Sequence, residues 1–217
     1  MLRILQKIFY WFFQIFTNIK TDGVAYLSTP GACILVMNHL SVMDSPLLFS
    51  RIKRDDFTAL VATKHRKNPL FRFLVDCVNG IWIDRYILEV EPLKQIITFL
   101  KKGGIIAIAP EGTRSRNHQM SQAKNGVAYL AWKTNAMIVP VAIAGTQDVF
   151  PSLLRFQRSR VILRVGKPFH LPEVHREERD HDLQRNTDEI MCRIAAMLPP
   201  EYRGFYANHP SLLALQQ

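Results

Sequence analysis

Short apolar runs alternating with helix-length segments predict an α/β fold: a mixed, largely parallel sheet flanked by helices, led by an N-terminal amphipathic helix. Three observations carry that expectation. From residue 32 onward the runs are apolar at nearly every position, as in strands covered on both faces. Segments long enough for crossover helices separate them, as parallel strands require. Three of the runs then break abruptly into polar loops, the place where functional side chains of such sheets gather.

The elements follow in order. Residues 1–20, MLRILQKIFYWFFQIFTNIK, carry apolar side chains at 4, 5, 8, 12, 15, 16 and 19, which is one face of a helix. The run between Lys7 and Lys20 is too short, and too interrupted by Gln14, Thr17 and Asn18, for the roughly 20 apolar residues of a membrane span. No small-residue cleavage site follows, which argues against a secretory leader. With Arg3, Lys7 and Lys20 beside its aromatic face, the segment reads as an interfacial membrane helix; an ordinary core helix has the same periodicity. Residues 21–200 form the main domain. Its strands are expected at 32–37, 57–62, 80–83, 105–109, 137–144 and 160–165, and its helices at 46–51, 69–78, 91–102, 121–134 and 182–197. Residues 201–217 read as a C-terminal tail with no structural signal.

Composition narrows the function. The chain has 217 residues, 48% hydrophobic and 21% charged, which excludes disorder. Its net charge of +10 calls for anionic partners: nucleic acid, anionic lipid or phosphorylated substrates. The lysines and arginines are dispersed rather than clustered on one helix, which argues against nucleic acid. Cys33, Cys77 and Cys192 are isolated among apolar residues, so no disulfide framework or zinc site is expected, and a reducing compartment fits.

The polar loops carry the chemistry. His39 and Asp44 stand in a His-x4-Asp spacing just after the first strand. A carboxylate bonded to one imidazole nitrogen fixes the tautomer and leaves the other as a base. The competing reading of Asp44 is a Ser41-x-x-Asp44 capping box. Pro46 prefers the first helical position, which makes Ser45 the cap and leaves Asp44 outside the helix, free to face His39. The same spacing at His175–Asp180 lies in a solvated charge run and reads as chance. The loop Pro110-Glu111-Gly112-Thr113-Arg114-Ser115 leaves an apolar strand. Gly112 permits a tight turn there and Arg114 can grip a phosphate, although a solvated turn has the same composition. The strand from Gly80 ends in Asp84 and Arg85, which suit either a site or a surface ion pair. Lys124 precedes Asn-Gly inside an expected helix, where a glycine costs about 1 kcal/mol unless something approaches Gly126 closely.

Taken together, Asn38-His39-x4-Asp44, Gly80-x-x-Ile83-Asp84-Arg85, the Pro110–Ser115 loop and Val139-Pro140-Val141-Ala142-Ile143 resemble the four ordered blocks of the glycerolipid acyltransferase family. The resemblance is greatest to its bacterial lysophosphatidic acid acyltransferase branch and covers residues 31 to 168, ending at Val165-Gly166-Lys167-Pro168. It implies His39 as general base and Asp44 as its orienting partner. It implies an acceptor phosphate pocket lined by Arg85, Glu111, Gly112, Thr113 and Arg114 with Lys124 as helper. Asn38, Gly80 and Asp84 support the site, and Pro140 shapes its acyl-donor or core side. The implied reaction passes an acyl group from acyl-CoA or acyl-carrier protein to a lysophospholipid, with no cofactor, no metal and no covalent acyl-enzyme. The implied place is the cytoplasmic side of the cell membrane, held as a monotopic or peripheral protein on an anionic surface. Ala109 stands where the family usually has an aromatic residue, and the helical lead-in is shorter than a two-helix motif seen in some relatives. Glycerol 3-phosphate or another lysophospholipid as acceptor, and a non-catalytic lipid-binding relative, remain the alternatives.

Overall fold

A computed structural model describes residues 2–84 and 90–215. Helix α1 (Leu2–Phe16) leads directly into β1 (Thr17–Asp22). There follow β2 (Cys33–Met37), α2 (Asp44–Phe49), β3 (Phe57–Ala62), α3 (Pro69–Cys77), β4 (Ile81–Ile83), α4 (Val90–Lys101) and β5 (Ile105–Ile108). The second half holds α5 (Gly126–Thr134), β6 (Met137–Ala144), α6 (Val149–Leu154), β7 (Ser159–Val165), α7 (Arg179–Met197) and α8 (Pro210–Leu215). The seven strands form one sheet in the order β1-β7-β6-β2-β5-β3-β4. Every neighbouring pair is parallel except β6–β7.

The strands read as continuous apolar runs because each face of the sheet meets helices. Along β2, Cys33, Leu35 and Met37 join Phe13 of α1 and Leu47 to Phe49 of α2 in one core. Ile34 and Val36 point the other way, into a second core with α4, α5, α7 and α8. Local signals set the ends. Asn68 caps α3 by accepting the amides of Leu70 and Phe71, with Pro69 behind it, and Asn135 ends α5 in a left-handed turn.

Four expectations need correction. Residues 17–20 are strand: β1 pairs with β7 from Thr17↔Ser159 onward, so the helix stops four residues early. Helix α2 begins at Asp44, not after it, and Ser45 does not cap it. Helix α5 begins at Gly126 rather than at 121, so that glycine lies at a helix start and carries no mid-helix cost. The tail is ordered onto the core: Tyr206 and Leu212 are fully buried, and the Tyr206 hydroxyl accepts the Ala123 amide at 3.1 Å. The sequence hid this because two separate anchors, Tyr206 and Leu212, hold the tail rather than a periodic apolar face.

Candidate active site

Parallel pairing puts the C-terminal ends of β2, β3, β4, β5 and β6 at one edge of the sheet, and the polar loops leave from that edge. At the end of β2, Asn38 is fully buried and its amide brackets Ile143, donating to the carbonyl at 2.8 Å and accepting the N–H at 2.9 Å. The side chain takes the place of a strand partner, so the ladder ends there and the chain is released into the His39 loop. The loop is held by its neighbours. The His39 N–H donates to Glu111 Oε1 at 2.9 Å, and the Ser115 N–H donates to the His39 carbonyl at 2.9 Å.

His39 Nδ1 lies 2.9 Å from Asp44 Oδ2, and the same oxygen accepts the amides of Leu40 and Ser41 at 2.7 Å each. The bond to Ser41 ties down the loop ahead of α2, whose N-cap is Met43, so the capping box is not formed and the carboxylate serves the loop and the imidazole instead. Its other oxygen accepts a hydrogen bond from the Thr146 hydroxyl. Asp44 is completely buried, with its oxygens satisfied, while the His39 side chain stays 15% exposed and faces a groove. With Nδ1 occupied, Nε2 is the nitrogen left to move a proton. Thr146 escaped the sequence reading. The one cue was a hydroxyl two residues beyond an apolar strand, behind Gly145, whose φ of +82° turns the chain where a Cβ would strike the Arg160 carbonyl.

The groove has a volume of about 940 Å³. Phe49, Phe57, Phe71, Leu74, Val75 and Leu130 are among its apolar walls, and Arg114 and Lys124 stand on it with His39. Gly112 sits at φ +71°, where a Cβ would come into ordinary contact with the Lys124 side chain, and the Lys124 amide donates to the Pro110 carbonyl at 3.0 Å. Gly126 and Asp84 also line the groove; among the described residues nothing beyond its chain neighbours and own helix backbone lies within 4 Å of a Cβ built on Gly126. Ala109 sits on the wall as well.

The remaining expected site residues are placed differently. Glu111 is buried behind the loop rather than on the groove. Oε1 receives the His39 amide and Oε2 the Ser121 amide at 2.7 Å, so it clamps two loops together. Burial pushes its carboxyl upward, opposed by those two N–H bonds. Thr113 is exposed and not on the groove wall. Gly80 lies under Val75, where a Cβ would collide. Pro140 is in the core beside Gly166 and Met197, on the core side of the sheet. Arg85 lies outside the described residues. The second His-x4-Asp pair is not formed: His175 meets Asp182, not Asp180, with Nδ1 3.1 Å from Oδ2. Glu178, His181 and Asp182 bring ligand-type atoms within 4.8 Å of one another, but the Asp182 carboxylate is already engaged by the His175 amide and by Arg185.

Comparisons with known proteins show what the chain is similar to. A 1-acyl-sn-glycerol-3-phosphate acyltransferase of Arabidopsis thaliana chloroplasts is 29% identical over 162 residues, covering 71% of this chain and 44% of its own. A probable enzyme of the same name from Mycoplasma pneumoniae is 28% identical over 138 residues, covering 60% and 51%. The chain spans about half the length of these relatives. The crystal structure of the 1-acyl-sn-glycerophosphate acyltransferase PlsC from Thermotoga maritima superposes with a TM-score of 0.65 at 25% identity, covering 87% of this chain and 78% of that one. The model of the Acyltransferase family matches residues 18–144, from β1 to the end of β6, and so encloses His39, Asp44, Glu111, Arg114 and Lys124. The chain belongs to the Acyltransferase family.

Proposed function

We propose that the chain transfers a fatty acyl group from an acyl thioester, carried by coenzyme A or acyl-carrier protein, to the free hydroxyl of lysophosphatidic acid, giving phosphatidic acid. The observation that carries this reading is a buried, fully bonded carboxylate orienting a histidine that opens onto a long apolar groove with Arg114 and Lys124 on its wall. The relatives' names supply the acceptor class. In this reading the acyl chain lies along the groove, and Arg114 and Lys124 hold the acceptor phosphate. As the hydroxyl oxygen attacks the thioester carbonyl, its proton passes to His39 Nε2. The tetrahedral adduct then collapses, breaking the carbon–sulfur bond, and the departing thiolate takes that proton from the imidazolium. Asp44 stays an anion throughout and fixes the ring.

The outer face of α1 supports a peripheral position on a membrane surface, which this reading places on the cytoplasmic side. Ile4, Ile8, Trp11 and Ile15 are exposed on it, and among the described residues no helix is long and apolar enough to cross a bilayer.

The deciding assay is thiol release from palmitoyl-coenzyme A in the presence of lysophosphatidic acid. Release should require the acceptor and should fall at least about a thousandfold in His39→Ala. Near-normal release by that variant would remove the proposed base, and silence with every thioester and lysolipid would remove the activity.

A further inference from the structure

The link between α6 and β7 ends its helix in an unfavourable way and exposes a large ring. The Phe156 amide donates to the Leu153 carbonyl at 3.1 Å and the Gln157 amide to the Ser152 carbonyl at 2.9 Å. These are the paired bonds of a helix end whose terminal residue turns left-handed. That residue is Phe156, at φ 54°. Glycine commonly fills this position because a side chain there crowds the backbone. The other non-glycine residues with positive φ among those described are Asn79, Asn135 and His118, types found there more readily. The phenylalanine gains no burial in return. Phe156 is fully exposed, Leu154 is 83% exposed, and Phe150 is half exposed.

The position of this turn indicates what covers it. β7 runs antiparallel to β6, with Ala144 opposite Ile162, so β7 starts at the edge where Thr146 meets Asp44. The end of α1 reaches the same corner: Arg158 donates to the carbonyls of Gln14 and Thr17 at 2.6 Å each. Ile15 and Phe16 are exposed there too. Arg155, Arg158 and Arg160 flank the apolar tip, and no acidic residue occurs between Asp148 and Glu173. A convex tip whose apolar side chains stand out singly offers little flat surface to a folded partner. It suits a fluid anionic interface, where rings enter the acyl boundary and guanidinium groups meet phosphates.

We infer that the turn at 154–156 is a second membrane contact, inserting Leu154 and Phe156 into an anionic lipid surface beside α1 and holding the catalytic edge of the sheet against the bilayer. This rests on the reading of α1 as an interfacial helix. Phe156→Gly removes the ring and relieves the backbone. It should raise the thermal unfolding midpoint yet weaken binding to phosphatidylglycerol–phosphatidylcholine vesicles about tenfold. Unchanged vesicle affinity, or a lowered midpoint, would overturn the inference. A nitrobenzoxadiazole label on Phe156→Cys, placed in a Cys77→Ser background because Cys33 and Cys192 are buried, should brighten on these vesicles and be quenched by nitroxide-labelled lipid. A silent label on protein that still cosediments overturns this contact and leaves that of α1 standing; failure of the unlabelled chain to cosediment overturns both. A lipid-free dimer abolished by Phe156→Gly would assign the tip to a second copy and overturn the lipid contact.

Discussion

A buried carboxylate is costly unless its lone pairs are met, and Asp44 shows how the chain meets them. Two amides and an imidazole share Oδ2, while Thr146 alone serves Oδ1. Thr146 touches no reacting atom in the proposed mechanism; it is a positioning residue acting through Asp44. Thr146→Val should leave Oδ1 unsatisfied, lower stability by about 1–3 kcal/mol and lower kcat about tenfold at unchanged KM. Thr146→Ser should restore both, as checked by denaturation and steady-state kinetics; no rescue would make the hydroxyl irrelevant. His39 and Asp44 were legible because their spacing is local. Thr146 was not, since it reaches Asp44 across 102 positions. Glu111 shows a different limit: a sequence places a carboxylate in a loop but does not say that its side chain turns inward to bind two amides.

At the scale of elements, the interior strands were legible because burial on both faces makes them uniformly apolar. Strand β1 was not. Thr17-Asn18-Ile19-Lys20-Thr21-Asp22 is a polar edge strand whose Ile19 also fits the helical period of α1, and only its partner β7 decides the matter. This changes how the α1 surface is tested. Deleting residues 1–20 would remove Phe13, which is fully buried, together with most of a strand. Substitution separates the two faces. Phe13→Ala should cost about 3–5 kcal/mol of folding stability. Trp11→Ala, on the exposed face, should stay within about 0.5 kcal/mol while weakening vesicle binding. Unfolding curves and liposome sedimentation read the two effects apart, and equal destabilisation by both would make α1 an ordinary core helix.

For the whole molecule, the titrating groups oppose one another. Asp182 is held below the usual carboxylate range chiefly by the His175 amide, and Asp56 chiefly by its hydrogen bond to Arg54. The stability each gives is complete above its unfolded pKa and is lost as pH falls through its folded one. Glu111, raised by burial, has the opposite sign: its contribution is present below the unfolded pKa and is lost as pH rises through the folded value. Acidification also adds to a net charge already at +10. The denaturant midpoint should therefore fall as pH drops from neutral through the carboxylate range. The fall should be smaller in Asp182→Asn and larger in Glu111→Gln, and the reverse order in parallel denaturation series would refute the assignment.

The tether from Asn38 to Ile143 spans 105 residues, and that from Asp44 to Thr146 spans 102. Contacts of such separation must meet their loop-closure cost before they reward it, so they are expected to form after the local helices and turns. His39 and Asp44 are neighbours in the chain from the moment they are synthesised, but the lock on their geometry comes from β6. In the proposed mechanism a half-folded chain would therefore hold the two side chains without the brace that aligns them, and competence would arrive only with the closing of the sheet.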